Sequence, residues 1–331
     1  MTEAAARALH DDALVVDGLV ISRWGRPVFE AMTAGGISAA NCTCAVWEDR
    51  DGALANIARW REWLTLHDDL LMPVTRAAHI AEAKAAGRVG VFLGFQNTTP
   101  IEGDLANVRR FHDLGIRVMQ LTYNNRNLAG SGCMMKEDEG LSDFGRDLID
   151  ALNAIGVLVD LSHVGARTAA EAIAHAATAP AFTHCCPAAL FDHRRNRADA
   201  ELRAIADAGG FIGVATYPPF LAAGENATLD DGVAAMEHVI NVAGEASVGI
   251  GTDFTQGQDA AFFEWLCREG GSGEPMFQRK WPVSPMPRDM ATLADYPNLT
   301  VAMARRGWKE GRIRAVLGEN WLRFLESVWG G

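Results

Sequence analysis

Residues 141–164 read LSDFGRDLIDALNAIGVLVDLSHV, and this stretch holds one complete unit of a helix followed by a strand. From Asp143 to about Ala154, apolar residues recur at steps of four and share one side of a helix. They are Phe144, Leu148 and Leu152. Gly156 stands where a helix commonly ends on a glycine. The run Val157–His163 is mostly apolar, which is typical of a parallel strand covered on both faces. The stretch therefore predicts a helix that leads into a buried strand, and the strand ends in a histidine.

The same alternation runs along most of the chain. Eight short runs rich in apolar and β-branched residues are separated by segments with helical spacing. The predicted strands are Leu14–Ile21, Ile37–Val46, Val89–Phe95, Arg117–Tyr123, Val157–His163, Ala181–His184, Phe211–Tyr217 and Ser247–Phe254. Strands that alternate with helices favour a parallel sheet, and eight such units favour a closed barrel over an open sheet. The sequence predicts the α/β class and a (β/α)8 TIM barrel, with residues 1–331 forming a single domain.

One segment does not follow this alternation. Residues 255–297, after the last predicted strand, are rich in glycine, proline and aromatic residues. Long loops in compact domains are usually functional or disordered. The segment is therefore a candidate lid or oligomer contact, and a homo-oligomer is left open.

The composition restricts partners and compartment. The 42 acidic residues outnumber the 30 basic ones, for a formal net charge of −12. This field repels a phosphate backbone, so we expect no nucleic-acid partner. The first ten residues lack the apolar core of a signal peptide, and the apolar run Val89–Phe95 is too short to cross a bilayer. The six cysteines match neither a disulfide framework nor a zinc ribbon. We expect a cytoplasmic protein with reduced thiols and no membrane partner.

Polar residues close six of the apolar runs. They are Gln96, Tyr123, His163, His184, Tyr217 and Asp253. In barrel enzymes the catalytic side chains come from the carboxyl ends of the strands. A single histidine at such a position is more often a hydrogen-bonded structural residue. Two on neighbouring strands, with Asp253 converging on them, favour the ligands of a metal-dependent hydrolase, in which a metal polarises a carbonyl and activates water.

The loop after His184 carries further candidates. Cys185 and Cys186 follow it directly; thiolates bind soft metals, although a buried free cysteine is the commoner use. The basic cluster His193-Arg194-Arg195-Asn196 lies further along. Such a cluster on an acidic protein is either solvated or positioned to hold a carboxylate through paired guanidinium bonds. The position favours the second use for at least one arginine.

With these residues identified, the chain resembles the membrane (renal) dipeptidase family of metallopeptidases over nearly its whole length. The stretches that carry the likeness are LGIRVMQLTYNN (114–125), LSDFGRDLIDALNAIGVLVDLSHV (141–164), AFTHCCPAALFDHRRNRAD (181–199), VGIGTDF (248–254) and IRAVLGENWLRF (313–324). The resemblance implies a barrel that cleaves dipeptides, typically with two zinc ions bridged by a carboxylate. It also implies a frequent tolerance of a D-residue at the C-terminal position.

The resemblance also implies roles for individual residues. His163 and His184 match the two histidines of one metal site. Asp253 matches a carboxylate that is both metal ligand and acid–base group. Arg195, followed by Asn196, matches the arginine that holds the substrate carboxylate, and Tyr217 lies where the family lines its pocket.

Four positions depart from the family pattern. The family's first strand ends Asp-Gly-His-x-Asp, but here the His and Asp positions are Leu19 and Ile21. The bridging glutamate falls at Gln96, a neutral amide, and the histidine after the fourth strand is Tyr123. Two divalent cations a few ångströms apart are held only when anionic ligands offset their repulsion. The sequence therefore predicts that dinuclear zinc is absent.

Three functions remain open. The leading one is a dipeptidase-like hydrolase acting on a dipeptide or related small amide. In this hydrolase, His163 and His184 would hold at most one ion, such as zinc, together with Gln96 or Asp253. Asp253 would be the base and Tyr123 the donor to the oxyanion, with both histidines catalytic. Arg195, Asn196 and Tyr217 would bind a small substrate with a carboxylate. The alternatives are a metal-independent enzyme acting on a small N-modified amino-acid carboxylate, and a catalytically inactive binding barrel.

Overall fold

The computed structural model describes residues 1–267 and 286–330, and a parallel sheet dominates that part of the chain. Its strands are β1 (Val16–Val20), β2 (Ala39–Ala45), β3 (Leu71–Pro73), β4 (Val89–Phe95), β5 (Ile116–Gln120), β6 (Leu158–Asp160), β7 (Ala181–Cys185), β8 (Phe211–Val214) and β9 (Val248–Ile250). Every pairing between them is parallel, and β2 pairs with β4 while β1 pairs with β9. These pairings close eight of the strands into a ring, which confirms the predicted (β/α)8 barrel.

Strand β3 is the one described strand that the sequence pattern did not predict. Its three residues, Leu-Met-Pro, contain no β-branched side chain. It pairs with residues 89–91 of β4, on the edge that β5 uses from Leu93 onward. It is therefore a short addition beside the ring and does not change the closure of the barrel.

Helices cover the outside of the ring and follow the strands along the chain. They are α1 (Glu3–Asp12), α2 (Arg26–Ala34), α3 (Arg50–Leu66), α4 (Ala78–Ala85), α5 (Ala106–Asp113), α6 (Asp143–Asn153), α7 (Ala166–His175), α8 (Asp199–Asp207), α9 (Leu229–Ala243), α10 (Ala260–Leu266), α11 (Pro297–Arg305), α12 (Glu310–Arg314) and α13 (Asn320–Trp329). Helix α6 begins at a serine, Ser142, whose hydroxyl accepts the Gly145 N–H. It turns into β6 through Gly156, whose φ of 70° favours glycine.

Trp321 of α13 lies against glycines of three strands. A Cβ added to Gly249 would lie 2.7 Å from this indole, and one added to Gly18 would lie 2.6 Å away. The indole Nε1 donates to the carbonyl of Ile250 at 2.8 Å. Strand glycines thus make room for a large buried side chain, and the side chain in turn satisfies its one polar group.

The strands end earlier than the apolar runs predict, and this positions the candidate site. Predicted runs reached Tyr123, His163, Tyr217 and Asp253, but β5, β6, β8 and β9 end three or more residues before these. At the carboxyl ends of the strands, which we call the mouth, the chain leaves the sheet and these side chains project from irregular backbone. The predicted loop 255–297 contains helix α10 in its described part, and residues 268–285 of it lie outside the described residues.

Candidate active site

A small cavity lies at the mouth of the barrel. Its volume is about 10 Å³, which is room for about one water. The residues that line it come from six strand ends and from α10. They are Ile21, Gln96, Tyr123, His163, Tyr217, Phe220, Asp253, Thr255 and Leu266. Five of the six strand-end residues that the sequence singled out therefore meet here, and the sixth, His184, contacts His163.

The two histidines face each other through their ring nitrogens. His163 Nε2 lies 3.0 Å from His184 Nε2, and both side chains are buried. The Tyr123 ring stacks on the His163 ring with centroids 4.2 Å apart. On its other side, His163 Nδ1 lies 2.7 Å from the amide oxygen of Asn124. Because that oxygen only accepts, His163 Nδ1 carries the hydrogen, and its Nε2 in the neutral ring has a free lone pair.

His184 is held in the same way by groups behind it. Its Nδ1 lies 2.8 Å from the hydroxyl of Thr183, and that hydroxyl lies 2.6 Å from Asp160 Oδ2. Asp160 is buried at the end of β6, and burial raises the pKa of its carboxyl, although hydrogen bonds from Ser162 and Thr183 oppose that shift. A carboxylate and hydroxyl behind an imidazole orient the ring and set which nitrogen carries the hydrogen.

Both imidazoles favour the neutral form. Burial lowers the pKa of His163 well below its usual range, and the positive charge of Arg195 lowers it further. Burial and Arg195 act on His184 in the same direction. Because His163 carries its hydrogen on Nδ1, the 3.0 Å contact between the two Nε2 atoms is a hydrogen bond in which His184 Nε2 donates to His163 Nε2.

This arrangement fits one metal ion in part. Two nitrogens that each lie about 2 Å from a tetrahedral ion are about 3.4 Å apart, whereas His163 Nε2 and His184 Nε2 lie 3.0 Å apart, at hydrogen-bond distance. Ligand histidines commonly donate their other ring N–H to a neighbouring oxygen, as His163 does to Asn124. Among residues 1–267 and 286–330, however, no three histidine, cysteine or carboxylate groups form a metal-binding cluster. The role of Asp253 as a third ligand stays a prediction.

Asp253 is a buried carboxyl group with an unusual backbone. Its φ is 58°, in the left-handed region that few residues other than glycine adopt. Burial raises the pKa of its carboxyl to about 6; the Arg195 charge opposes this, and the charges of Asp17 and Asp160 add to it. Within the described part of the chain, its side chain has no hydrogen-bond partner. A carboxylate with these properties in a closed cavity can accept a proton at neutral pH.

The neutral polar residues complete the lining. Burial raises the pKa of the Tyr123 phenol well above its usual range, so the group stays protonated and can donate. Gln96 Nε2 donates to the Thr43 hydroxyl at 2.8 Å, which fixes its amide beside the cavity. Tyr217 packs edge-on against Phe220 with centroids 5.3 Å apart.

The structure places Arg195 and Asn196 beside the cavity but not in its lining. Arg195 is buried; its guanidinium donates to the carbonyls of Ser162 and His184, and its Nε is buried without a hydrogen-bond partner. Asn196 donates to the carbonyl of Phe220, which does line the cavity. Arg195 therefore holds the backbone beside the two histidines, and Asn196 holds the backbone at Phe220. Their contact with a substrate stays a prediction.

The opposite side of the mouth is apolar. Leu19 and Ile21, at the positions where the resemblance places a histidine and an aspartate, belong to a buried hydrophobic cluster. Its other members are Val46, Tyr123 and Leu266, with Trp47, Phe262, Phe263, Trp265 and Cys267 packed against it. The side chains of Leu19 and Ile21 carry no metal-ligating atom.

The two cysteines after His184 do not replace these ligands. Cys186 donates its thiol hydrogen to the carbonyl of Ala215. Burial raises the pKa of the Cys185 thiol to about 12. Burial thus keeps both thiols protonated.

Sequence reasoning missed three contributors: Asp160, Thr183 and Asn124. Asp160 and Thr183 lie inside apolar runs and look like ordinary strand residues. The signal that could have found Asp160 is its sequence context, Asp-Leu-Ser-His, which puts a carboxylate three residues before a strand-end histidine. Asn124 has a φ of 58°, which asparagine adopts more readily than most residues.

A closed parallel barrel whose mouth gathers two imidazoles and a carboxyl group has the architecture of metal-dependent hydrolases. The model of the Membrane dipeptidase family (Peptidase family M19) matches residues 28–265. The chain belongs to this family, as its motifs predicted, and the family is one of metallopeptidases.

Individual relatives agree with this assignment. Two uncharacterized dipeptidases of Schizosaccharomyces pombe are 34% identical over 76% of this chain and 29% identical over 72% of it. The aligned regions span 60% and 53% of those relatives, little more than half of their length. A solved structure of an amidohydrolase from Pseudomonas aeruginosa is 42% identical, with a TM-score of 0.94 and full coverage of both chains.

A more distant structure shows the same fold. It is a metallopeptidase from Rhodobacter sphaeroides bound to a phosphinate mimic of L-Ala-D-Ala, 19% identical with a TM-score of 0.82, and the match covers 96% of this chain and 99% of that one. In the described part of this chain, no helix has both the length and the apolar character needed to span a bilayer.

Proposed function

We propose that this protein is a hydrolase that cleaves a dipeptide or a related small amide. The observation that carries the proposal is the convergence of His163, His184, Tyr123 and Asp253 at one mouth of the barrel. Membership of the dipeptidase family and the full-length likeness to an amidohydrolase support it. Neither alternative considered from the sequence gains support from the family match.

His163 and His184 would hold one metal ion through their Nε2 atoms, and zinc suits two imidazole ligands. When bound, such an ion supplies Lewis acidity that polarises an amide carbonyl and lowers the pKa of water. We propose no second ion, because Leu19 and Ile21 offer no ligand and Gln96 offers a neutral amide.

The remaining residues would move protons and position the substrate. The Asp253 carboxylate, ionised above about pH 6, would take a proton from the attacking water. The Tyr123 phenol would donate a hydrogen bond to the oxygen that becomes negative in the transition state. The Arg195 cation, which acts on the pKa of His163, His184 and Asp253, would attract a substrate carboxylate.

A dipeptide does not fit the cavity as it stands. The space accommodates about one water, and Leu266 of α10 forms one wall. We therefore propose that α10 moves away from the mouth when substrate enters. The closed form would exclude bulk water from the charges that act in catalysis.

The test combines turnover with metal content. Purified protein would be assayed by mass spectrometry against dipeptides with L- and D-residues at the C-terminal position, and zinc would be measured by elemental analysis after dialysis. We expect dipeptide cleavage, at most one zinc per chain, and loss of that zinc in His163→Ala. No cleavage across the panel would overturn the proposed reaction. Two retained zinc ions per chain would overturn the single-ion site, and full turnover in metal-free protein would overturn any role for a metal.

A further inference from the structure

We infer that a second cavity beside the mouth binds a large apolar side chain of the substrate, an aromatic ring above all. The inference rests on the proposed function, because it names the class of dipeptide or small amide that the candidate active site takes. The cavity, which we call the aromatic pocket, lies between α3 and α10 at the carboxyl ends of β1 and β2. It is distinct from the small cavity that His163 and Asp253 line.

The aromatic pocket has a size and a lining that suit a ring. Its volume is about 150 Å³. A cavity of roughly 150 Å³ with apolar walls binds benzene. Five aromatic side chains line the pocket: Trp24, Trp60, Trp63, Phe262 and Trp265. In the first group, Trp60 lies edge-on to Trp24 at 4.8 Å and to Trp63 at 5.2 Å between ring centroids. The second group belongs to α10, where the centroids of Phe262 and Trp265 are 5.7 Å apart. A ring that enters the pocket would therefore pack against aromatic side chains from both groups.

Polar side chains around the pocket make hydrogen bonds within the protein. Asn56 donates to the Cys44 carbonyl at 2.9 Å and to the Glu48 carboxylate at 3.1 Å. Gln258 donates to the Ile21 carbonyl at 3.2 Å. A polar ligand would have to compete with these bonds, whereas an apolar ligand leaves them in place. The lining therefore favours an apolar occupant over a charged one.

The aromatic pocket adjoins the candidate active site through a shared wall. Ile21 lines both the pocket and the small cavity at the mouth. Helix α10 also borders both spaces, because Phe262 and Trp265 line the pocket and Leu266 lines the small cavity. The movement of α10 that admits a substrate to the mouth would therefore open the pocket to the same molecule. One substrate would then place its amide at the mouth and its side chain in the pocket.

Helix α10 offers a matched pair of variants. Phe262 and Phe263 are adjacent and half-buried, and both pack against the apolar cluster that contains Leu19 and Ile21. Among the described residues, Phe262 lines the aromatic pocket, whereas Phe263 lines neither the pocket nor the small cavity. The two alanine substitutions remove the same side chain from the same helix. A difference between them therefore reports on the pocket and not on the stability of α10.

The first test measures substrate selectivity. Values of kcat/KM for the dipeptides Ala-Ala, Phe-Ala and Ala-Phe would be compared in wild type, Phe262→Ala and Phe263→Ala. We expect wild type to prefer one of the phenylalanine dipeptides to Ala-Ala by about 10–100-fold, because the ring becomes buried. The preference should arise mostly in KM, since the pocket lies away from the reacting bond. It should fall about tenfold in Phe262→Ala and persist in Phe263→Ala.

The second test detects binding without turnover. Benzyl alcohol would be titrated into ¹⁵N-labelled protein, and the indole N–H resonances of the tryptophans would be followed by NMR. We expect the resonances of Trp24 and Trp63 to shift, because both indoles line the pocket. The resonance of Trp321 should stay in place, since that indole is bonded to Ile250 in the core of the barrel. Phe262→Ala should bind benzyl alcohol more weakly than Phe263→Ala does.

Three results would contradict the inference. If dipeptides are cleaved without a preference for phenylalanine, the pocket does not hold the side chain and the proposed hydrolase stands. Equal loss of preference in Phe262→Ala and Phe263→Ala, or unshifted resonances of Trp24 and Trp63, would also overturn it. If Phe262→Ala does not fold, Trp63→Leu on α3 should lower the preference in its place. If no dipeptide is cleaved but benzyl alcohol shifts both resonances, the proposed reaction fails and the ligand class of the pocket is supported.

Discussion

The two sides of the barrel mouth share one hydrogen-bonding pattern, but one side is polar and the other is apolar. On each side a buried aspartate of one strand accepts a hydrogen bond from a threonine of another part of the barrel: Asp160 of β6 from Thr183 of β7, and Asp17 of β1 from Thr252, which follows β9. On the first side the chain continues into His163, whose ring projects toward His184. On the second it continues into Leu19, which packs in a hydrophobic cluster.

The contacts that join the strands of the barrel are therefore different from the side chains that form the candidate site. The aspartate–threonine bonds join strands on both sides, so they are compatible with either lining. The lining itself decides the chemistry, since imidazoles offer lone pairs and the apolar cluster offers a surface on which α10 packs. We expect substitutions on the polar side to remove activity, and substitutions on the apolar side to remove stability.

The largest effect is expected for Asp253→Asn. Asparagine tolerates the left-handed backbone of this position and keeps the side-chain volume, so the fold should survive. Loss of the proposed base should lower kcat/KM by about 10²–10⁴-fold. Steady-state kinetics on the best dipeptide would measure this, with thermal unfolding as the control. Activity within a few-fold of wild type would show that another group takes the proton.

Leu19→Ala tests the apolar side. It deletes a buried side chain from the cluster below α10, and we expect the free energy of unfolding to fall by about 2–5 kcal/mol. Zinc content of the folded protein should not change, because Leu19 offers no ligand. Urea unfolding and elemental analysis would be compared on the same samples. A loss of zinc with unchanged stability would reverse the assignment of the two sides.

The pH dependence of kcat/KM should depend on carboxyl groups from both sides of the mouth. Because the pKa of Asp253 is raised to about 6, its ionised fraction falls as the pH drops below that value. We expect kcat/KM to fall about tenfold per pH unit below pH 6. The charge of Asp17 contributes to the raised pKa, so Asp17→Asn should move the midpoint to lower pH. A rate that stays flat between pH 5 and 7 would argue against a carboxylate base.

The smallest effect is expected for Trp47→Phe. The indole N–H of Trp47 donates to the carbonyl of Leu266 at 3.0 Å and so ties α10 to the apolar side of the mouth. Losing this bond should cost on the order of 1 kcal/mol. Hydrogen exchange in α10 should quicken while exchange in β4 stays slow. Unchanged exchange in α10 would mean that this bond does not hold the helix at the mouth.

Much of the barrel was predictable because its strands are long apolar runs between helical segments. The pattern located all eight ring strands but not β3, whose three residues have no strand-like composition. It also placed Tyr123, His163, Tyr217 and Asp253 within strands, where the structure has irregular backbone. The apolar runs continue past the ends of the strands because the irregular backbone at the mouth is also buried.

The sequence predicted which residues line the candidate site better than it predicted their hydrogen-bond partners. Strand-end position was enough to bring His163 and Asp253 to one cavity. It could not show that Arg195 turns its guanidinium toward backbone carbonyls, because the direction of a loop side chain depends on its neighbours in space. The role of Asp160 was hidden for a related reason, since its importance depends on Thr183, a residue on another strand.

The backbone at Asp253 has a consequence for related chains. With φ near 58°, the position favours glycine, asparagine and aspartate over other residue types. Of these three, only aspartate can exchange a proton. Glycine or asparagine at this position would satisfy the turn without offering a group that exchanges a proton. Under the proposed mechanism, a related chain with glycine at this position is expected to keep the barrel and to lack the base.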